Sequence, residues 1–131
     1  MNSYRDVMGA TLREHAAQKA VFMSATRNNG KVERPCAFVR GPLAVARPAG
    51  EDKVWMVGHV PSGHSCGGIR YKNAKAAKAA LLEMLPLGDW TDERLLSGNA
   101  KHLGKGFYNR IKAIAAKHGG IDLHGIPIRV F

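Results

Sequence analysis

The chain has 131 residues, 45% of them apolar, the usual size for one domain around a single core, so residues 1–131 are read as one basic domain. Twenty Lys and Arg stand against ten Asp and Glu, a formal charge of +10, which calls for a polyanionic partner, nucleic-acid phosphates foremost. No stretch approaches the roughly 18 apolar residues of a membrane span, and two cysteines are too few for a disulfide framework.

Ser3 lies three residues before Asp6, close to a capping box, and Tyr4, Val7, Met8, Leu12, His15 and Ala16 recur at helical spacing. An amphipathic first helix is expected over residues 4–19. Val21 to Thr26 is short and β-prone, and Asn28-Asn29-Gly30 is a turn signal before a second run, Val32 to Val39. Pro35 inside that run marks an edge strand or a bulge. Leu43 to Arg47 and Val54 to His59 flank Pro48-Ala49-Gly50-Glu51-Asp52 and suit a second hairpin.

After the loop of residues 61–68, Asn73 is placed to cap a helix reaching about Leu85, with Ala74, Ala77, Leu81 and Met84 or Leu85 as its buried stripe. Pro86 and Gly88 stop it, and a short turn over residues 92–96 follows. Gly104 to His118 reads as a last helix closed by Gly119-Gly120, with Phe107, Ile111, Ile114 and His118 facing inward. Ile121 to Phe131 reads as a final edge strand carrying Pro127. The class is α+β: a small antiparallel sheet of four to five strands packed with about three helices, in the order α-β-β-β-β-α-α-β.

The charge excess is concentrated late. Residues 66–118 carry ten basic side chains against four acids, and residues 1–65 carry nine against five. Lys72, Lys75 and Lys78 are spaced by three, so they stay near one edge of their helix. Their mutual repulsion costs a few tenths of a kcal/mol per pair, which a row of phosphates would turn into attraction. The same row also suits a second role, solvating an alanine-rich helix. Lys101, Lys105, Arg110, Lys112 and Lys117 extend the basic character into the last helix. Arg70 precedes the lysine row, and Tyr71 and Tyr108 beside the glycine corners are candidates for stacking or phosphate contact.

The glycine corner followed by Arg70-Tyr71-Lys72-Asn73-Ala74-Lys75-Ala76-Ala77 resembles the start of the last helix of the double-stranded RNA-binding domain. Leu12 to Lys19 is similar to that family's first helix, which also leads into an antiparallel sheet, so the resemblance spans about residues 8–86. It implies recognition of A-form shape, with Lys72 and Lys75 on phosphates.

His59, His64 and Cys66 lie within eight residues, with Cys36 elsewhere in the expected sheet. Imidazole nitrogen and cysteine sulfur are sound zinc ligands, but no tight Cys-x-x-Cys pair is present and the spacing matches no finger or ribbon. The other chemistry open to this cluster is a Cys66 thiol nucleophile with His64 or His59 as its base. Neither the Gly67-Gly68 corner nor Gly104-Lys105-Gly106 is a Walker loop, although backbone amides at such corners bind phosphate.

The expected function is non-enzymatic binding of RNA or DNA phosphates through basic helix edges, with no cofactor. The alternative is a protein-protein interaction protein, such as a phage or mobile-element inhibitor or accessory factor, using the same lysines on an acidic protein or a ribonucleoprotein. A zinc- or cysteine-dependent enzyme is the third class. No membrane association is expected, because a basic membrane helix needs large apolar residues opposite its charges. No basic segment followed by an apolar run opens the sequence, so no signal peptide is visible and a cytoplasmic location is expected.

Overall fold

The computed structural model describes residues 21–26, 28, 30–97 and 101–129; the expected first helix over residues 4–19 lies outside them. Four strands form an antiparallel sheet in chain order: β1 (Val21–Ala25), β2 (Lys31–Arg40), β3 (Leu43–Ala46) and β4 (Met56–His59). Two α-helices follow, α1 (Ala74–Met84) and α2 (Gly104–Lys117), separated by three short 3-10 turns. The architecture is thus α+β, as the hydrophobic pattern implies.

The long second strand serves two partners in turn. Its first half pairs with β1, from Lys31 opposite Ala25 to Pro35 opposite Val21, and its second half pairs with β3, from Cys36 opposite Ala46 to Arg40 opposite Leu43. A register shift between Cys36 and Phe38 marks the change of partner. Pro35 stands at that break, where a residue that donates no N–H costs the ladder least. Its carbonyl still accepts from the Arg47 N–H at 3.0 Å.

Because of this break the sheet curls, and β3 is buried on both sides. Leu43 and Val45 face α1, within the main core of Val57, Tyr71, Ala77, Leu81, Met84, Phe107 and Ile111. Ala44 and Ala46 face the other way, toward Phe22 and Met56. The Phe22 ring lies so close over Gly58 that a Cβ there would be 2.5 Å from its Cζ. The curl ends where the Ala25 N–H donates to the Gly63 carbonyl at 2.9 Å, tying β1 to the loop beyond β4. Gly63 is needed there: its φ is +76°, and a Cβ would be 2.4 Å from the Met23 carbonyl oxygen.

Helix α1 packs across β3 and β4 and touches β2. Asn73 caps it, its side-chain oxygen accepting from the Ala76 N–H at 2.8 Å, and Ala77, Ala80, Leu81 and Met84 form its buried stripe. Small residues on that stripe let the helix axis approach the sheet, as the sequence implies. At its far end the Trp90 indole N–H donates to the Met84 and Leu85 carbonyls at 3.0 and 3.1 Å, satisfying groups that a helix end leaves unpaired.

The tail differs from expectation. Ile121 makes only isolated bridges, to Arg70 and to Pro127, and no strand forms among the described residues beyond it. The Asp122 carboxylate accepts from the His124 and Ile126 N–H groups at 2.8 and 3.0 Å, and Gly125 takes a φ of +78°. This side-chain turn folds the chain back on itself before a ladder can start.

Candidate functional site

Four of the eight described acids, Glu51, Asp52, Glu83 and Asp92, are committed to particular cations. Glu51 holds Arg70 through a bidentate contact with distances of 3.0 to 3.2 Å, and Asp52 pairs with Arg34, whose guanidinium also donates to the Pro48 and Glu51 carbonyls. Asp92 pairs with Arg94, and Glu83 with both Lys117 and His118. These contacts hold the carboxyls of Asp52, Glu83 and Asp92 below the ordinary carboxylate range, Asp92 at about 2. Arg70 and Lys117, two of the expected phosphate contacts, are therefore already engaged.

Lys72, Lys75 and Lys78 are different. All three are exposed, and none has an acid within ion-pair distance among the described residues. Lys78 Nζ lies 4.5 Å from the centroid of the Phe38 ring, and the Arg40 guanidinium carbon lies 5.6 Å from the same centroid. Phe38 and Arg40 sit on β2 opposite Val45 and Leu43, hence on the face that α1 covers. The ring thus brings a cation from the sheet alongside a cation from the helix, each contact contributing about 0.5–1 kcal/mol.

Lys78 and Lys117 lie on different flanks of α1. Lys78 and Glu83 are five residues apart on α1, about 140° around its axis. Lys78 meets β2 on one flank, whereas Glu83 meets Lys117 at 2.9 Å and His118 on the other. Arg110 and Tyr108 are exposed on α2, and Lys112 Nζ lies 5.5 Å from the Tyr108 ring centroid. The side chains of Lys101 and Lys105 lie outside what the structure describes.

Tyr71 requires a correction. Its side chain is fully buried in the main core, because its backbone pairs with Trp55 on the inner face of the fold, and the ring is closed off from stacking on a ligand. Burial also pushes its hydroxyl pKa up. Phe38 and Arg40 belong to the candidate surface and do not stand out in the sequence. Their signal is the alternation of Phe38 and Arg40 on a strand, which places an aromatic and a cation on one face.

The His59, His64 and Cys66 cluster does come together, around a pocket of about 90 Å³ that Ser62, Ser65 and Trp90 also line. Among the described residues no three His, Cys, Asp or Glu side chains are placed to hold an ion. Cys36 lies on the opposite side of the sheet, against the Phe22 cluster. Both ring nitrogens of His59 are occupied, Nδ1 by the Ser62 hydroxyl at 2.8 Å and Nε2 by the Trp90 carbonyl at 2.6 Å. Burial lowers the His59 pKa, with His64 adding to that and the Trp90 carbonyl opposing it. Burial pushes the Cys66 thiol up to about 12, which keeps it protonated and a poor nucleophile at neutral pH.

No described helix is long and apolar enough to cross a membrane. No known family matches the chain, and neither a curated protein nor a solved structure matches it.

Proposed function

We propose that this protein binds nucleic acid by its phosphates, through the edge formed by Lys72 just before the α1 cap, Lys75 and Lys78 of α1, and Arg40 of β2. The observation that carries this reading is the distribution of ion pairs. Acids neutralise Arg34, Arg70, Arg94 and Lys117, while the lysine row is left exposed and without acidic partners among the described residues. Like charges kept together without counter-charges cost stability in the free protein, and a phosphate row removes that cost.

The contacts available are cations at a helix edge, with Phe38 half-buried beneath two of them. Such a surface grips backbone more than base edges, so sequence preference is expected to be slight. The resemblance to the double-stranded RNA-binding domain makes A-form duplex the first ligand to try. Electrophoretic titration with duplex RNA, duplex DNA and single strands at 50 and 200 mM salt tests the reading. Neutralising four phosphates predicts an affinity loss of roughly 100-fold or more between those salts on a duplex. Binding that ignores salt, or no binding to any of the three, refutes it.

A further inference from the structure

The pocket beside Trp90 holds a second constellation, built around a residue that sequence spacing does not single out. His59 Nε2 lies 2.6 Å from the Trp90 carbonyl oxygen. That oxygen can only accept, so Nε2 carries the proton and the neutral ring presents a lone pair at Nδ1. Ser62 Oγ, 2.8 Å from Nδ1, therefore donates to it. A hydroxyl, a base and a group that orients the base follow one another, the arrangement that makes a serine nucleophilic.

The orienting group is itself fixed. The Trp90 indole N–H is anchored on the end of α1, and its ring lies 5.4 Å from that of Phe107 on α2. His59 closes β4, so sheet and helices together hold one tautomer in one position. The His64 backbone N–H donates to Ser62 Oγ at 3.2 Å and fixes the hydroxyl from the other side. Ser62 and His59 are only 4% and 5% exposed, yet both border the pocket. The pocket, about 90 Å³, is smaller than the roughly 150 Å³ that encloses a benzene ring, and so suits a short aliphatic group.

We propose that Ser62 is an acyl-accepting nucleophile with His59 as its general base, and that the pocket takes the acyl group of a small ester. Ser62 Oγ attacks the ester carbonyl carbon as its proton passes to His59 Nδ1. The tetrahedral intermediate collapses, the bond to the alcohol oxygen breaks, and the leaving alcohol takes the proton from Nδ1. Water then attacks the acyl-serine with His59 again as base, releasing the carboxylic acid and restoring the hydroxyl. Ser65 and His64 line the same pocket and are the residues from which oxyanion donors would come.

The test is incubation of the whole protein with p-nitrophenyl acetate, followed by peptide mapping. An ester at Ser62, removed by hydroxylamine unlike the amides formed on lysines, is the expected product. Removing the base by His59→Gln is expected to slow its formation by about 100-fold or more, while p-nitrophenyl decanoate, too long for the pocket, leaves Ser62 unmodified. The folded wild type alone also decides: an ester at Ser62 that forms in buffer and not in urea supports the proposal. No adduct at Ser62, equal rates in folded and unfolded protein, or undiminished labelling in a folded His59→Gln variant overturns it.

Discussion

Replacing Gly58 by alanine tests the curl of the sheet. The new methyl carbon would be 2.5 Å from Cζ of Phe22, 2.8 Å from Cε2 and 3.1 Å from Cε1. Carbon atoms in contact settle at about 3.5–4.0 Å, so the ring has to retreat by about 1 Å. Phe22 is 2% exposed among Ala44, Ala46 and Met56, and its retreat lifts β1 away from them. Overpacking of this kind costs about 1–3 kcal/mol, and partial loss of a buried phenylalanine adds about 1 kcal/mol. Alanine also restricts the unfolded chain, which offsets about 0.4–1 kcal/mol. The net expectation is a loss of about 1–3 kcal/mol, read from denaturant midpoints by circular dichroism. In a Phe22→Ala background, itself costing about 3–5 kcal/mol, the methyl falls into vacated space and Gly58→Ala should cost almost nothing. Equal costs in the two backgrounds, or a single variant within about 0.5 kcal/mol of wild type, would refute a Phe22 ring lying over Gly58.

Three further outcomes are expected. Asn73→Ala removes the cap of α1 and should lower stability by about 1 kcal/mol without changing the denaturant slope; an unchanged midpoint would remove Asn73 from that role. Tyr71→Phe deletes a buried hydroxyl with no hydrogen-bond partner among the described residues, so nucleic-acid affinity should stay the same and stability should not fall. A tenfold loss of affinity would return Tyr71 to the binding surface. His59, whose folded pKa lies below its ordinary 6.5, stays neutral while the unfolded chain takes up a proton. Stability should therefore fall as pH drops below about 6.5 toward the folded value, by up to about 1.4 kcal/mol per pH unit, and His59→Gln should flatten the part of the profile just below pH 6.5. A wild-type profile flat over that range contradicts the buried neutral imidazole.

Much of the fold was legible because period and punctuation agree along the chain. Asn73 as cap, Ala77 and Leu81 as the buried stripe of α1, and Phe107 and Ile111 on α2 follow from helical spacing alone. Pro35 pointed to a bulge, and the partner change at Cys36 shows why one was needed. The tail misleads because β-branched residues at 121, 126 and 128 read as a strand, while the Asp122 carboxylate offers local backbone N–H groups a competing acceptor. The candidate site was half legible. Lysine spacing finds one helix edge, but Arg40 beside it, and Glu83 drawing Lys117 away, are long-range facts that no local pattern carries. Tyr71 reads as a surface residue from its basic neighbours, although its backbone bridge to Trp55 turns it inward. Ser62 carries no motif, since its relation to His59 depends on where Trp90 returns after α1.

The claim that one edge of α1 carries the binding is tested most directly by the salt dependence of duplex affinity, measured by fluorescence anisotropy for wild type, a Lys72/Lys75/Lys78→Gln variant and Lys117→Gln. Each lost phosphate contact removes about 0.9 from the slope of log K against log salt, so the triple variant should lose about 2.7 while Lys117→Gln stays near wild type. An unchanged slope in the triple variant, or an equal loss per residue on substituting Lys117, would contradict the account.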